Sequence, residues 1–145
     1  MCIRDSIKGA KSAGASIVAG GERLGVAGTF ITPTIVADVN ANMSIVREEV
    51  FGPVMVVQRY DDLDDVLAAA NDSVYGLAAS VWSESLSSAH RLSRGLQAGT
   101  VWINCHAMYD ASLPIGGVKQ SGYGRDSGAV AMDNYLEWKT VCAVL

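Results

Sequence analysis

The stretch "REEVFGPV", residues 47–54, combines two adjacent carboxylates with an aromatic ring. Glu48 and Glu49 lie just before Phe51, and a Gly-Pro pair then precedes the apolar run "VMVV". An ionised carboxylate only accepts hydrogen bonds, and its two oxygens can take both protons of a vicinal diol. These residues fit either a site for a sugar hydroxyl pair or two solvated acids beside a core phenylalanine.

The spacing inside this stretch bears on the first alternative. In an extended backbone, residues two apart face the same side. Glu49 and Phe51 could therefore address one ligand, while Glu48 and Val50 point elsewhere.

The sequence offers little for other chemistries. "GGERLG" lacks the spacing of a dinucleotide fingerprint, and "GAKS" lacks the glycines of a phosphate-binding loop. His90 falls on a predicted helix, and His106 has no evident partner, so no Ser-His-Asp set is predicted. The three cysteines are far apart without zinc spacing, which predicts no metal site and no disulfide framework.

Composition bounds the class of protein. The 145 residues are enough for one domain with a core, and 50% of them are hydrophobic against 18% charged. The net charge is −4 with 11 scattered Lys and Arg, which argues against a nucleic-acid partner. There is no apolar run of membrane-spanning length and no signal-peptide pattern, so we expect no membrane association. The odd, dispersed cysteines favour a reducing cytoplasm.

Hydrophobic periodicity predicts an α/β fold that would position these residues. After a last helical turn at Ile7–Ala13, the chain is expected to form elements in the order strand, strand, strand, helix, strand, helix and strand, followed by a helix and a terminal strand. The predicted segments are 15–19, 30–36, 54–59, a helix in "DDLDDVLAAAND", "AASVWS", a helix ended by Gly99, "TVWIN", 129–136 and 139–145. Alternation of strands and helices predicts parallel strands, and the run 54–59 is expected to be covered on both faces. Residues 105–128 are expected to be irregular.

Several separated motifs resemble one family. "REEVFGPV", "ANDSVYGLAASVWS" and "GTVWINCHAMYDASLPIGGVKQSGYGR" occur in the order found in the C-terminal part of the catalytic domain of NAD(P)-dependent aldehyde dehydrogenases. The resemblance runs from Ile7 to Leu145. The leader "MCIRDS" falls outside it and predicts neither strand nor helix, so residues 1–6 are interpreted as foreign to the fold or artefactual.

The resemblance implies roles for individual residues. Glu49 matches the glutamate that accepts hydrogen bonds from the nicotinamide ribose of NAD or NADP, and Phe51 matches the aromatic residue beside the nicotinamide. By position, four residues match the wall of the aldehyde tunnel: Ala107, Met108, Tyr109 and Ile115. The alternative is that these four only pack their loop. The loop glycines are expected to be structural, with Lys119 as a surface or loop-anchoring cation.

The resemblance also implies what this chain does not supply. The family oxidises an aldehyde to a carboxylic acid through a cysteine thioester that a glutamate-activated water hydrolyses. Both of those residues belong to motifs upstream of this sequence, so no catalytic residue is predicted here. Cys105 stands at an unrelated position, and Cys142 is predicted to be a small apolar filler in the last strand. The details of "WINCHAMYDASLPIGG" suggest an aromatic substrate, as in phenylacetaldehyde-type members.

The C-terminal segment is predicted to mediate association into an oligomer. Residues 7–136 would form a partial catalytic domain, and the apolar segment 137–145 would be the strand that pairs with a neighbouring subunit of a homo-oligomer. An isolated chain would therefore be inactive and poorly soluble. The alternative function is that of a non-catalytic, truncated module that pairs with intact subunits.

Overall fold

The fold is α/β and divides into two compact units, residues 1–61 and 62–145. The computed structural model describes residues 2–25 and 27–145. In this part of the chain, none of the helices has the length and apolar character needed to cross a membrane.

The first unit is a three-stranded sheet with two helices. It contains, in chain order, α1 (Ile3–Ser12), β1 (Ser16–Ala19), β2 (Thr34–Ala37), α2 (Ser44–Arg47) and β3 (Val54–Val56). The strand order is β1-β2-β3, with β2 in the middle. Strand β2 runs parallel to β3, as expected, but antiparallel to β1. Strand β1 lies outside the predicted alternation of strands and helices, because no helix separates it from β2, and two strands joined without a crossover helix can pair antiparallel.

Strand β2 is the middle strand of the sheet, and one of its faces, with Thr34 and Val36, is buried. Val36 is fully buried and packs in a cluster with Ala10 of α1 and Ile45 of α2. Thr34 is also buried, and its hydroxyl is satisfied: Oγ1 accepts from the Gly21 N–H at 2.9 Å and donates to the Thr32 carbonyl at 2.8 Å. A buried hydroxyl with both roles filled carries no desolvation penalty.

Two sequence predictions fail in this unit. Helix α1 begins at Ile3, so residues 3–6 are helical, although no helix was expected there. The Ile3 side chain packs against Gly52, where an added Cβ would lie 2.3 Å from its Cδ1. Strand β3 is an edge strand of three residues, and Met55 is 54% exposed, so its run is not covered on both faces. The interpretation of residues 1–6 as foreign stays a prediction.

The second unit places two helices beside a parallel strand pair. It contains α3 (Leu63–Asn71), β4 (Ala78–Val81), α4 (Leu86–Gly95) and β5 (Thr100–Ile103). Helix α3 begins as predicted, because the Asp62 carboxylate accepts from the N–H groups of Asp64 and Asp65. Helix α4 ends at Gly95, four residues before the predicted Gly99. The Asn71 side chain accounts for this early end, since it donates to the Gly95 carbonyl at 2.8 Å and accepts from the Gln97 N–H at 2.8 Å.

The second half of the second unit, after β5, is mostly irregular, as predicted for 105–128. Short 3₁₀ turns occur at Lys119–Ser121 and Ala129–Asn134, the latter in place of the predicted helix at 129–136. Residues 137–145 pair with no other described strand, so the predicted terminal strand is not formed within the chain. Strand geometry needs a hydrogen-bonding partner, and none of the described segments supplies one.

We expect Gly20→Ala to lower the free energy of unfolding of the first unit by about 2 kcal/mol or more. Gly20 has φ +71°, and an added Cβ would lie 2.0 Å from the backbone oxygen of Pro33. Gly9→Ala is the matched control, because nothing lies within 4 Å of its added Cβ. In the middle of α1 it should stabilise by about 0.5–1 kcal/mol. Denaturant unfolding followed by circular dichroism measures both, and equal effects would contradict this account.

Candidate functional site

The Glu49–Phe51 segment lies in the first unit, between α2 and β3. Ile45 is buried and anchors α2, and the helix ends at Glu48, which has extended backbone angles. Val50 packs on the core cluster, whereas Glu48 and Glu49 are exposed. Because the Val50 side chain points into the core, the side chains of Glu49 and Phe51 on either side of it point to solvent.

The segment does not stay extended beyond Val50. The Gly52 N–H donates to the Val50 carbonyl at 2.8 Å, which closes a three-residue turn centred on Phe51. The alternation argument for Glu49 and Phe51 assumed an unbroken extended backbone, and that premise is wrong at Phe51. Both side chains are nevertheless solvent-facing, and Phe51 is 88% exposed.

The Glu49 carboxylate is available to a ligand. Among residues 2–25 and 27–145 it has neither a hydrogen-bond donor nor an ion-pair partner. Its full acceptor capacity therefore remains for a hydroxyl pair, as the sequence interpretation requires.

The predicted substrate residues of the second unit follow β5. Ala107, Met108 and Tyr109 are consecutive in one loop, and all three are exposed. Ile115 lies farther along and is half-buried. Its backbone is held by two hydrogen bonds of 2.7 Å that it exchanges with Asp126.

The structure reveals a support for this loop that sequence reasoning missed. The indole Nε1–H of Trp102 in β5 donates to the Met108 carbonyl at 2.9 Å. The Trp102 ring also meets Tyr109 edge to face, with 5.4 Å between ring centroids. "TVWIN" indicates a strand, but nothing in it shows which backbone carbonyl the indole will reach.

His106 has a partner after all. Its Nδ1 lies 2.8 Å from the Ser80 hydroxyl, and its ring contacts Trp102 edge to face at 5.3 Å. Ser80 and Trp102 are direct register partners in the parallel pair β4–β5, so their side chains share one face of it. The expectation of a His106 without a partner is therefore wrong, because the contact joins residues 26 positions apart. No carboxylate hydrogen-bonds to the His106 ring among the described residues, so the pair lacks the third member of a hydrolytic triad.

The loop entrance is also fixed. The Asn104 amide accepts from the Ser83 N–H at 2.8 Å and donates to the Ser83 carbonyl at 3.0 Å. Asn104 and Ala107 both have left-handed backbone angles, with φ of 54° and 53°. Such angles in non-glycine residues persist only where the surroundings hold them.

Comparison with known proteins decides the family. The sequence matches the aldehyde dehydrogenase family model over residues 2–141. The chain belongs to the aldehyde dehydrogenase family. The match begins five residues earlier than the resemblance read from the motifs and ends before the last four residues.

Individual relatives agree with this assignment. The mitochondrial benzaldehyde dehydrogenase of Antirrhinum majus is 45% identical over 139 residues, which are 96% of this chain and 26% of that protein. The NAD+ complex of an aldehyde dehydrogenase from Bacillus cereus superposes with a TM-score of 0.89 at 47% identity, covering 93% of this chain and 28% of that one. The P. syringae indole-3-acetaldehyde dehydrogenase AldA, in complex with NAD+ and IAA, gives 0.91 at 44% identity, over 95% and 28%. The chain thus spans about a quarter of the length of these aldehyde dehydrogenases.

The glycine-rich loop of this aldehyde dehydrogenase segment is structural, as predicted. An added Cβ on Gly99 would lie 1.7 Å from the Gly116 oxygen, so the two backbones touch. The Arg125 guanidinium donates to the carbonyls of Gly117 and Gly124 at 2.8 and 2.6 Å. Lys119 is a loop-anchoring cation: its Nζ donates to the carbonyl oxygens of Asn71 and Ser73 at 2.7 and 3.1 Å.

The cysteines of the chain are free thiols. Cys105 is half-buried, and Cys142 is exposed, so the prediction of Cys142 as a filler inside a strand is wrong within this chain. Across residues 2–25 and 27–145, no cluster of His, Cys, Asp and Glu could hold a metal ion.

Asp110 closes the loop with a turn whose strength should depend on pH. Its Oδ1 accepts from the Ser112 hydroxyl at 2.5 Å and from the Ser112 N–H at 2.8 Å. The side-chain hydrogen bond first, and then the backbone one, lower the pKa of Asp110 from its ordinary 3.8. The ionised form therefore favours the closed turn, which is fully stabilised above 3.8 and loses that contribution as pH falls through the lower folded pKa.

We expect Ser112→Ala to return the pKa of Asp110 towards its ordinary value, as measured by NMR titration of the carboxyl carbon. Ser112→Thr keeps the hydroxyl and should keep the depressed pKa. If Ser112→Ala leaves the titration unchanged, the hydrogen bonds are not its cause.

Proposed function

We propose that this chain is the C-terminal part of an NAD(P)+-dependent aldehyde dehydrogenase, an enzyme that oxidises an aldehyde to a carboxylic acid. The observation that carries the proposal is the family match over nearly the whole chain, together with the TM-score of 0.89 against a relative solved with NAD+. Because the chain spans 28% of that relative, we assign the activity to a longer polypeptide that includes this segment, not to the segment by itself.

In this proposal, Glu49 and Phe51 form the nicotinamide side of the cofactor site. The fit rests on the exposed Glu49 carboxylate, which has neither a hydrogen-bond donor nor an ion-pair partner within the described chain. An acceptor of this kind suits the two hydroxyls of the nicotinamide ribose, and charge makes such hydrogen bonds stronger than neutral ones. When bound, the dinucleotide supplies the hydride acceptor of the oxidation. Phe51, 88% exposed on its turn, offers an apolar face to the ring.

The loop 107–109, with Ile115, is proposed as part of the wall of the aldehyde tunnel. Met108 and Tyr109 expose an adaptable thioether and an aromatic ring, which suit an aryl group. Relatives named for benzaldehyde and indole-3-acetaldehyde support an aromatic aldehyde as the substrate class.

The nucleophile and general base are proposed to lie outside this chain. Cys105 is half-buried, and among the described residues it makes no hydrogen bond to His106, whose Nδ1 pairs with Ser80 instead. We expect the chain alone to be catalytically silent. Three free cysteines are consistent with a reducing compartment, and we propose the cytoplasm.

A chimera tests the cofactor assignment. Residues 2–145, which include the whole of α1, would replace the corresponding segment of the Bacillus cereus enzyme, and NADH formation would be followed by its absorbance. Glu49→Gln should raise the KM for NAD+ by about tenfold or more, because charged hydrogen bonds contribute about 1.5–3 kcal/mol. Glu48→Gln is the matched control and should change it little.

Two outcomes would contradict the proposal. Equal effects of the Glu49 and Glu48 substitutions would remove Glu49 from the cofactor site. Sustained NADH formation by the 145-residue chain alone would show that it carries its own catalytic groups.

Segment 137–145 is proposed to pair with a second subunit in a homo-oligomer. Its apolar side chains are exposed, including Trp138, Val141 and Val144. An extended apolar segment without a partner strand is a site for intermolecular pairing. The same observation favours the second candidate function, a non-catalytic module that joins intact subunits.

We expect Val141→Lys to shift the chimera towards smaller species in analytical ultracentrifugation. A lysine in the strand pair would place an unpaired charge in an apolar interface. Leu24→Lys, at an exposed apolar residue outside the segment, is the control. Unchanged sedimentation of Val141→Lys would exclude the segment from the interface.

A further inference from the structure

We propose that Trp102 is a positioning residue that holds the loop 106–109 in the shape required of an aldehyde-tunnel wall. The inference rests on the proposed function of that loop, but the anchoring itself can be measured without activity. We call the residues Ser80, Trp102, His106 and Met108 the indole latch.

The first part of the indole latch is a directed hydrogen bond from a buried ring. Trp102 is only 8% exposed, and its Nε1–H reaches the Met108 carbonyl at 2.9 Å. Because packing in β5 fixes the Trp102 ring, the hydrogen bond restrains the position of the Met108 carbonyl rather than that of the ring. The Met108 backbone is thereby tied to β5, while the Met108 side chain remains free to face a ligand.

The second part is the pair formed by Ser80 and His106. Ser80 stands opposite Trp102 in the β4–β5 register, and its hydroxyl lies 2.8 Å from His106 Nδ1. The loop is therefore tied at two points, two residues apart, to two neighbouring strands. Two ties at this spacing restrain the direction of the loop as well as its distance from the sheet.

The residue between the two ties shows why they are needed. Ala107 has φ 53°, a left-handed conformation that alanine rarely adopts. Such a conformation is strained, and it persists only when flanking contacts hold it. Releasing Met108 should let Ala107 relax, and this would redirect Met108 and Tyr109 together.

The other two tryptophans provide internal references. Trp82 is 67% exposed and Trp138 is 99% exposed, and neither indole has a hydrogen-bond acceptor among the described residues. If burial and hydrogen bonding protect the Trp102 N–H, it will exchange with solvent more slowly than theirs. NMR of the unsubstituted chain, labelled with ¹⁵N-tryptophan, should show one slow and two fast indole signals; three fast signals would overturn the proposal.

The variant test uses backbone ¹⁵N relaxation, measured by NMR on the whole chain. Trp102→Phe keeps an aromatic ring and removes the donor. Backbone ¹⁵N order parameters of residues 106–110 should fall relative to the unsubstituted chain, because the Met108 carbonyl loses its tie to β5, while those of α3 and α4 stay unchanged. Trp82→Phe is the control and should leave the loop unaltered.

Two results would overturn the anchoring. Unchanged order parameters in the loop would show that the hydrogen bond does not hold it, and an equal fall throughout the second unit would show that Trp102 only fills the core. If Trp102→Phe fails to fold, the indole exchange in the unsubstituted chain decides the question.

The chimera tests whether the anchoring of the loop by Trp102 affects binding of the aldehyde substrate. Trp102→Phe should raise the KM for phenylacetaldehyde about fivefold more than the KM for propanal, because only the larger aldehyde needs the ordered wall. Equal changes would overturn the role in substrate positioning. A chimera inactive with Trp102 intact would instead contradict the proposed function, and the NMR measurements would still test the anchoring.

Discussion

The parallel pairing of β4 with β5 is the constraint on which the second unit depends. Its register sets Ser80 opposite Trp102, and both side chains then reach into the loop that follows β5. A slip of β5 by one residue would turn Trp102 to the face opposite Ser80, so the two side chains could no longer hold the loop together. The buried Trp102 ring and the Asn104–Ser83 amide pair make such a slip costly. The contacts that stabilise the β4–β5 pair therefore also set the shape of the loop that follows β5.

Local signals explain which elements could be predicted from the sequence. Helix α3 was found because Asp62 caps it and its apolar residues have helical spacing, all within one short window. Strands β4 and β5 could also be predicted, because each is a short apolar run that lies within one window of the sequence. Helix α1 was missed at its start because "CIRDS" lacks a capping side chain, and contacts such as that of Ile3 with Gly52 replace the cap. The antiparallel direction of β1 could not be predicted, because alternation of strands and helices says nothing about two strands that no helix separates.

Side-chain chemistry was harder to predict than the elements. The Glu49 carboxylate and the exposed loop at Met108 and Tyr109 could be named because motif spacing points to them, although their roles stay predictions. The His106 partner could not be named, since Ser80 lies 26 residues away and meets it only after two strands align. The tight turn at Phe51 was missed because a Gly-Pro pair signals a break without giving its geometry.

The Asn71 amide has a consequence for how the second unit opens. It binds the Gly95 carbonyl and the Gln97 N–H at the end of α4, while the Asn71 backbone oxygen receives the Lys119 ammonium. One residue therefore joins the ends of two helices and the glycine-rich loop. Thermal fraying that begins at any of the three must break bonds belonging to the other two. These segments should accordingly behave as a single foldon, losing their structure together rather than one after another.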